Sequence, residues 1–415
     1  MSKLDKLLRE LCPDGVECVK LGTLCSLITK QTGFDYTNHI KARLLMEPAE
    51  NAVPYIQTKF FAGKNFNYQT DYYVPMDIVE QFPKITLDEK CILFSIVGAS
   101  IGNVGLFPGE RKCFLGGAIC VAKVLPQYDV DYVYYCVESH NVQHQIRRKT
   151  KGAGQATITV EDIREFEIPL PPIEIQSEIV RILDNFTNLT AELVKELTAR
   201  KTQYGYYRNK FLDFESSVSV KTIGDICDVV VGGEPPTDCI KGDVRDSTHI
   251  YPVWGNGKEV YGYSGTYKID RDAVVISSIG ANTGAVYYKE AFFTPIIRLK
   301  VILPKDNRIN ARFLFHALSG TTIKSKSSSV PNMNANEIKA IKIPVPPLDV
   351  QNRIVNVLDN FEKICSDLNI GLPAEIEARQ KQYEYYRDKL LTFAETGNTI
   401  LSRAEQSRAE QSRAE

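Results

Sequence analysis

The amino-acid sequence contains the same two blocks twice. Residues 168–186 read IPLPPIEIQSEIVRILDNF and residues 343–361 read IPVPPLDVQNRIVNVLDNF, with eleven of nineteen positions identical at an offset of 175. A second block, ARKTQYGYYRNKFLDF at 199–214, recurs as ARQKQYEYYRDKLLTF at 378–393, with ten of sixteen positions identical at an offset of 179. This repeat is far longer than the 20–50-residue periods of solenoids and propellers. We therefore expect a pseudo-symmetric molecule with two copies of one working part.

Each repeat ends in a helical region. A Pro-x-Pro-Pro sequence fixes an extended backbone and opens a helix. The apolar residues that follow recur in alternating steps of three and four, which is typical of a coiled-coil seam. The ten seam positions are Ile179, Ile182, Phe186, Leu189, Leu193, Ile354, Val357, Phe361, Ile364 and Leu368. We expect the two seams to pair antiparallel within one molecule; pairing between molecules and ordinary core packing are the alternatives.

The two helical regions differ in one place. An unbroken helix over 173–213 would be about 60 Å long at 1.5 Å per residue. The second copy has four extra residues between its blocks and contains Gly371-Leu372-Pro373. We predict an unbroken first helix and a second helix that kinks or breaks near Pro373.

The globular halves, or heads, span about 16–160 and 218–335 and correspond only weakly. Residues 19–25 align with 221–227, and residues 95–104 align with 277–286, but the heads share little between these anchors. Both heads consist of Val, Ile, Tyr and Phe runs interrupted by Gly and Pro, which favours strands and turns with a few helices. The predicted class is α+β, with two β-rich α/β domains joined by two long antiparallel coiled-coil helices in an internal pseudo-twofold repeat.

These patterns divide the chain into six predicted segments. They are an N-terminal helix (1–15), a first globular domain (16–167), a first helical region (168–215), a second globular domain (216–342), a second helical region (343–395) and a low-complexity SRAEQ tail (396–415).

Composition limits the cellular setting. The ten cysteines of this 415-residue chain form no CxxC pair, which favours reduced, mostly buried thiols in a cytoplasmic protein. The N-terminus carries acidic residues and has no apolar core, so we expect no signal peptide. No apolar run of about eighteen residues is present, so no membrane-spanning helix is expected.

The net charge of the chain does not by itself favour binding to nucleic acid. The net charge is −1, and Lys and Arg exceed Asp and Glu by only 15 to 13 in residues 16–160 and 14 to 12 in residues 218–338. A DNA-binding chain of this kind must group its cations locally. Two predicted flexible loops do so, and either could contact phosphate or be merely solvated. The candidate residues are Arg147, Arg148, Lys149, Lys151, Gln155, Lys324 and Lys326.

Signals for catalysis are weak. The Pro-Pro pairs superficially match the Asn/Asp-Pro-Pro-aromatic loop of amino methyltransferases, but Leu170 and Val345 stand where the polar residue is needed. Neither a phosphate-binding P-loop nor a GxGxxG between a strand and a helix is present. Residues 254–257, WGNG, are predicted to be a loop in a β-rich domain. We predict no catalytic residue in this chain.

One cluster could bind a metal. Cys136, His140 and His144 are spaced at i, i+4 and i+8 in an apparently helical stretch and could share a face. A structural zinc site needs four ligands, and no fourth is evident. We predict helix packing here and no metal.

Several motifs together resemble a known family. They are the paired I-P-[LV]-P-P-x-x-x-Q segments, the opening LCPDGVECVKLGTL, the stretches VGASIGNVG and IGANTGAVY, and YPVWGNG at 251–257. Over nearly its whole length the chain resembles the specificity (S) subunit of type I restriction–modification enzymes.

The resemblance implies a DNA-recognition role. Each head would be a target-recognition domain for one half of a split site in double-stranded DNA, and the helices would set the gap. Two methyltransferase (M) subunits would dock on the helical regions, with restriction (R) subunits outside them and no membrane involved. Adenine methylation and ATP-dependent cleavage, with S-adenosylmethionine, ATP and Mg, would belong to those partners, and this chain would hold no cofactor. The alternatives are a methyltransferase with its own recognition domains and a protein-only coiled-coil adaptor.

Overall fold

The chain alternates two strand-rich heads with long helices. The computed structural model describes residues 2–32, 36–150, 156–214, 218–243, 245–280, 282–319, 333–367 and 369–392. In these ranges the helices are α1 (Lys3–Leu11), α2 (Leu21–Leu24), α3 (Tyr36–His39), α4 (Met76–Gln81), α5 (Val130–Glu138), α6 (His140–Lys149), α7 (Val160–Arg164), α8 (Ile173–Leu212), α9 (Ile223–Ile226), α10 (Ala311–Ser319), α11 (Ala335–Lys339), α12 (Leu348–Ser366) and α13 (Leu372–Leu390).

The strands are short and lie almost entirely in the two heads. They are β1 (Cys18–Lys20), β2 (Cys25–Lys30), β3 (Ala52–Ile56), β4 (Phe61–Ala62), β5 (Asn65–Phe66), β6 (Tyr73–Pro75), β7 (Thr86–Leu87), β8 (Cys91–Ser95), β9 (Val104–Phe107), β10 (Cys113–Leu115), β11 (Ile119–Val124), β12 (Glu167–Pro169), β13 (Val220–Thr222), β14 (Cys227–Val231), β15 (Ile240–Lys241), β16 (Tyr251–Trp254), β17 (Gly262–Ser264), β18 (Ala273–Ile276), β19 (Val286–Lys289), β20 (Thr294–Pro295), β21 (Lys300–Pro304) and β22 (Lys342–Pro344). The fold is therefore α+β.

The chain divides into two compact units that exchange their helical blocks. The first unit contains the residues up to Ala191 and those from Glu377 onward, and the second contains Glu192–Ile376. Each unit thus combines one head, the Pro-x-Pro-Pro helix start that follows that head, and the second repeated block of the other copy.

The first unit contains two four-stranded sheets. One has the order β2-β11-β8-β9 and the other β6-β3-β10-β7, with β3 and β10 parallel. Successive side chains of strand β8 point into two different cores, as expected for a strand that is buried on both faces. Ile92 and Phe94 pack with α5 and the start of α8, whereas Cys91 and Leu93 pack with the second sheet. The first sheet is therefore the middle layer between the helices and the second sheet.

The second unit repeats this plan with different edges. Its first sheet, β14-β21-β18-β19, has the same strand order as its counterpart, and its second sheet, β15-β17-β16-β20, again contains one parallel pair, β16 with β20. In the first unit β7 lies beside β10, whereas in the second β15 lies beside β17. The two heads share their centres and differ at the edges of their second sheets.

A buried glutamine explains the Pro-Pro-x-x-x-Gln motif. The side-chain amide of Gln176 donates to the carbonyl of Pro171 at 2.8 Å and accepts the backbone N–H of the residue that precedes α5 at 3.0 Å. Gln351 makes the same two contacts, to Pro346 at 2.8 Å and to the residue that precedes α10 at 2.9 Å. The motif thus joins the start of each long helix to a helix of its head, and both glutamine side chains are fully satisfied.

The two helical regions differ as predicted. Helix α8 is continuous over 40 residues, whereas the second region stops at Ser366 and restarts at Leu372. Gly371 allows this break, because a Cβ there would lie 2.5 Å from the carbonyl oxygen of Lys363 and 2.7 Å from that of Asp367. Pro373 then occupies the first turn of α13, where its missing N–H costs nothing. The predicted break near Pro373 is confirmed.

Equivalent aromatic pairs join the helices in both units. Phe186 of α8 stacks on Tyr386 of α13 with ring centroids 5.4 Å apart in the first unit. Tyr207 of α8 stacks on Phe361 of α12 at 5.6 Å in the second. The repeat relates the two phenylalanines to each other and the two tyrosines to each other. The helices therefore pack through matching contacts in each unit, and the antiparallel coiled coil remains a prediction.

The sequence prediction of one helix through residues 136–144 is wrong. Ser139 has an extended backbone, and its buried hydroxyl donates to the carbonyl of Cys136 at 2.6 Å, which ends α5 and starts α6. Cys136 is buried and belongs to α5, whereas His140 and His144 are exposed on α6. The three side chains do not share one helical face, so their sequence spacing has no meaning for metal binding.

No helix among the described residues has the length and apolarity to span a membrane. All ten cysteines are free thiols, and six of them are buried, as the sequence predicts.

Candidate nucleic-acid interface

A glycine turn at the same place in each head borders the predicted basic loops. Gly98 and Gly280 are equivalent and have φ values of 77° and 80°, and a second glycine four residues later is again at positive φ in both heads. Glycine adopts this conformation at little cost, which explains why both copies keep it. In the first head, the N–H of Gly98 donates to the carbonyl of Ala156 at 3.0 Å. In the second head, the N–H of Met333 donates to the carbonyl of Ser278 at 3.0 Å.

These contacts position the ends of the basic stretches. Ala156 and Met333 are the first described residues after 151–155 and 320–332, which contain the candidates Lys151, Gln155, Lys324 and Lys326. Those four candidates lie outside the described residues, so their role remains a prediction.

The other three basic candidates lie on a helix. Arg147, Arg148 and Lys149 form the last turn of α6, so the prediction that they belong to a flexible loop is wrong. Cations there interact favourably with the negative end of the helix dipole, which gives them a structural reason to be in that turn. Arg147 and Arg148 are exposed, and neither guanidinium makes a hydrogen bond or ion pair with another described residue. Their guanidinium groups remain available to an external anion.

The second head has a loop surface at the ends of its parallel strands. The turn 255–257 follows β16, and the turn 296–298 follows β20. Asn256 joins them, because its amide donates to the carbonyl of Ile297 and accepts the N–H of Ser278 at 2.7 Å. The hydroxyl of Ser278 donates to the carbonyl of Arg298 at 2.7 Å. One polar network therefore fixes both turns and the start of the glycine turn.

Two residues of this surface have an unusual backbone. Ile297 and Arg298 have φ values of 52° and 57°, a region that β-branched residues rarely enter. Their N–H groups donate to the carbonyls of Gly233 at 2.8 Å and Gly232 at 3.0 Å. Such strain typically costs about 1–3 kcal/mol per residue and persists only where surrounding contacts enforce it. Both side chains are exposed.

The surface is cationic in its centre. Lys300 is buried and donates to the carbonyl of Arg298 at 3.0 Å. Burial, and then the charge of Arg298, lower the pKa of Lys300. Lys289 lies over the ring of Trp254 at 3.0 Å from the centroid, and burial lowers the pKa of Lys289 to about 8. Arg298 is the exposed member of this group.

The first head has different residues at the corresponding place. Its parallel strand β10 is followed by Gly116 and Gly117, and a Cβ at Gly116 would overlap the carbonyl oxygen of Ile56. The amide of Gln31 donates to the carbonyl of Leu115 at 2.5 Å, and its Oε1 is buried with no partner among the described residues. The shared backbone plan thus presents an amide and glycines in one head and an exposed arginine in the other.

A half-buried ionic cluster around the buried His316 joins the second head to α12. Asp359 contacts His316 at 2.7 Å and Arg312 at 2.8 Å, and Arg312 also bonds Glu362. Burial lowers the pKa of His316 and raises that of Glu362. His316, Asp359 and Glu362 are close enough together to hold a metal ion. The guanidinium of Arg312 already supplies the positive charge, so the arrangement is better suited to holding head and helix together.

The first head uses the equivalent positions without a histidine. Tyr135 stands where the second copy has His316, and its hydroxyl donates to Asp184 at 2.5 Å. Lys64 supplies the cation by pairing with Asp184 and with Asp131. Both copies therefore tie a head helix to an aspartate of the LDNF sequence, with different chemistry.

The predicted seam residues take different positions. Ile179 and Ile354 are buried, and Ile182, Phe186, Leu193 and Phe361 are half-buried. Leu189, Val357 and Ile364 are 39%, 40% and 42% exposed, which leaves apolar area on the helices for a partner. Leu368 lies outside the described residues. A role of these residues in subunit docking remains a prediction.

Sequence reasoning missed Arg298 and Asn256. The only signal was the turn-forming WGNG sequence, which identified a loop but not its partner turn. The left-handed backbone at 297–298 depends on carbonyls of Gly232 and Gly233, some 65 residues earlier in the chain. No local pattern could predict that contact.

Comparison with known proteins gives one consistent result. The family model described as "Type I restriction modification DNA specificity domain" matches residues 13–200 and 215–378. The Escherichia coli type I restriction enzyme EcoR124I/EcoR124II specificity subunit is 36% identical over 258 residues, which is 55% of this chain and 63% of that protein. A putative type I specificity subunit of Mycoplasma pneumoniae, S.MpnORF89P, is 34% identical over 257 residues, or 57% of this chain and 76% of that protein.

Solved structures share the fold at low sequence identity. The S subunit of a type I restriction–modification system from M. genitalium has a TM-score of 0.54 and 18% identity, with 91% of this chain and 97% of that chain covered. A chain from a type I R-M system, solved to examine its complex assembly and conformational transition, has a TM-score of 0.61 and 15% identity, with 92% and 99% covered. The match to the E. coli relative spans less than two thirds of that protein's length.

Proposed function

Because this chain belongs to the type I restriction–modification DNA specificity family, we propose that it is the subunit that selects the DNA sequence for such a complex. Each head recognises one half of a bipartite site in double-stranded DNA. The helices between the heads set the number of base pairs in the gap. The family model matches the chain in two copies, one for each head.

The observation that carries the proposal is the pattern of similarity between the heads. Their first sheets have the same strand order, and each second sheet contains one parallel pair. The loop after β10 carries Gly116 and Gly117 in the first head, with the Gln31 amide bonded to the carbonyl of Leu115, whereas the loop after β20 carries Ile297 and Arg298 in the second. A common frame with different surface side chains is what two readers of different sequences require.

The chemistry is assigned to partner subunits. We infer that methyltransferase subunits, two per chain, dock on the helical regions, and that restriction subunits add outside them. S-adenosylmethionine, ATP and Mg would bind those partners, and this chain would be non-catalytic. The exposed apolar residues Leu189, Val357 and Ile364 support docking on the helices. The free cysteines fit a cytoplasmic complex.

The test is to co-express the chain with the methyltransferase encoded beside it and to map modified adenines across the genome. A two-part motif with a fixed gap, modified on both strands, is the expected result. A continuous motif, or no modification that depends on this chain, would refute the proposal. Binding of S-adenosylmethionine by the isolated chain would favour a methyltransferase with its own recognition domains.

The DNA affinity of the assembled complex distinguishes a DNA-recognition subunit from a protein-only adaptor. Its affinity for DNA should fall steeply as salt rises, because cationic contacts to phosphates release counterions. An adaptor that binds only proteins would give no salt-dependent DNA affinity in the same assay.

A further inference from the structure

We propose that Arg298 determines specificity in the second head by contacting a guanine of its half site. The guanidinium would donate two parallel hydrogen bonds to O6 and N7 of that base in the major groove. This inference rests on the proposed function, since it names one residue through which a head would select its sequence. It applies to the second head alone.

The backbone at Arg298 is fixed by contacts on every side. The N–H groups of Ile297 and Arg298 donate to carbonyls of the 232–233 turn, at 2.8 and 3.0 Å. Their carbonyls accept from Asn256, and from Ser278 and Lys300 at 2.7 and 3.0 Å. All four backbone polar groups of the turn are therefore satisfied inside the protein. What the turn leaves free is its side chains.

The turn holds a conformation that its residues do not favour. Positive φ at both positions would suit glycine, yet the sequence has Ile and Arg there. Strain of this kind concentrates at sites where a side chain must be presented in a fixed direction. The guanidinium of Arg298 makes no hydrogen bond or ion pair with any residue the structure describes, and the residue is exposed. A rigid backbone thus carries an unpaired cation.

The surroundings favour nucleic acid as the partner of that cation. Ser278 bonds Arg298 through its hydroxyl and Met333 through its carbonyl. Met333 directly follows residues 320–332, where Lys324 and Lys326 are predicted to contact phosphate. Lys300 lies beneath the turn and adds positive charge. Arg298 and Met333 therefore both bond Ser278, and Met333 is where the described chain resumes after the stretch predicted to contact phosphate.

Arginine suits a base better than lysine would. Its planar group presents donors in a fixed fork that matches the two acceptors of guanine, whereas lysine carries its charge on one flexible ammonium group. A phosphate contact needs only charge. Replacement by lysine therefore distinguishes base recognition from phosphate binding.

The experiment uses the full chain with its methyltransferase partner and compares Arg298→Ala, Arg298→Lys and the control Arg271→Ala. Arg271 is an exposed cation of the same head that pairs with Asp270. It lies before strand β18, whereas Ser278, which bonds Arg298, lies after that strand. Adenine modification is measured genome-wide at sites that match the motif and at sites that differ by one base. The half of the motif belonging to the first head reports that each variant still forms an active complex.

Both Arg298 variants should lose discrimination at one position of one half site, by about 5- to 150-fold in the ratio of modification at matched and mismatched sites. Arg271→Ala should keep the motif unchanged. An unaltered motif in Arg298→Ala, with or without a uniform loss of modification, would overturn the inference while the proposed function stands, and so would wild-type discrimination in Arg298→Lys. A wild-type chain that directs no two-part motif overturns both.

Discussion

At the scale of single residues, Gln176 and Gln351 do the same task in the two copies. Each is buried and joins the turn before a long helix to the start of a head helix. Removing the side chain would leave a buried carbonyl and a partly buried N–H without partners, which typically costs about 1–3 kcal/mol. The Pro-Pro-x-x-x-Gln motif is therefore a structural joint between head and helix.

We predict that Gln176→Ala lowers the free energy of unfolding by about 2 kcal/mol, because one buried and one partly buried hydrogen bond are lost. Gln380→Ala is the matched control, since Gln380 is exposed on α13 and its side chain bonds only Glu384 among the residues that the structure describes; a change below about 0.5 kcal/mol is expected there. Urea denaturation of both variants measures the difference. Equal effects in the two variants would contradict the assigned role of Gln176.

His316 should make stability depend on pH. Burial, the main cause, holds the pKa of His316 below its usual value of 6.5. The groups that face it are Tyr204, Arg208, Arg312, Asp359 and Glu362. Because the unfolded chain takes up a proton near pH 6.5 while the folded chain does not, the contribution of His316 is complete above that pH and is lost as pH falls below it.

The free energy of unfolding should therefore decline more steeply between about pH 6.5 and 5 in the wild type than in His316→Gln. The measurement is urea denaturation at several pH values, with the exposed His140→Gln as a control that should keep the wild-type slope. An unchanged slope in His316→Gln would refute this account of the cluster.

Sequence alone identified some of these residues but not their roles. The repeated Gln was part of a visible motif, because it recurs at the same spacing. Its partners are residues near 129 and 310, more than 40 positions away, and no local pattern records them. Arg298 was missed for the same reason, since its backbone is held by Gly232 and Ser278.

At the scale of elements, the two helical regions show what periodicity can and cannot predict. An unbroken α8 and a break before Pro373 followed directly from the residue types. The buried stripe did not follow: Ile175, Ile179 and Leu183 are buried at steps of four, while Leu189 of the predicted seam is exposed. The reason is that the start of α8 packs against its own head as well as against α13. The head and α13 contact different faces of α8, so each buries a different set of apolar residues.

Two glycines allow a matched test of the helical break. A Cβ at Gly371 would press on the carbonyls of Lys363 and Asp367, whereas a Cβ at Gly205 in α8 would meet nothing within 4 Å. Gly371→Ala should destabilise by about 1–3 kcal/mol. Gly205→Ala should stabilise by about 0.5–1 kcal/mol, because alanine favours a helix interior. Denaturant titration of the two variants measures both signs, and stabilisation by Gly371→Ala would contradict the geometry of the break.

The helix contacts can be tested through one aromatic pair. Phe186→Leu and Tyr386→Leu should show a coupling free energy of about 0.5–1.5 kcal/mol in a double-mutant cycle, because their rings stack. Tyr68 packs elsewhere in the same unit, on Phe66 and Phe107. Phe186→Leu and Tyr68→Leu should therefore be additive. Additivity in the stacked pair as well would mean that the contact does not hold α8 to α13.

At the scale of the whole molecule, the duplication separates two tasks. The helical blocks have remained alike because the same contacts are made in each unit: Phe186 with Tyr386, and Tyr207 with Phe361. The heads have kept their sheet order but changed their loops. Sequence predicted this division, but it could not predict that each unit would combine blocks of both copies, since that depends on contacts across about 190 residues.

The spacing role of the helices predicts an effect of length alone. Inserting four residues near Glu192 adds about 6 Å to α8 and should lengthen the gap by about two base pairs, since base pairs are about 3.4 Å apart. Both half sites should stay the same. Mapping modified adenines in the co-expressed complex measures the gap, and an altered half site with an unchanged gap would contradict the proposed role.

The central claim is that each head recognises its own half of the site. The most direct test replaces residues 16–160 by the corresponding head of the E. coli relative and maps modified adenines with the full complex. We predict that one half of the motif changes, while the other half and the gap are unchanged. A change in both halves, or in neither, would contradict the account.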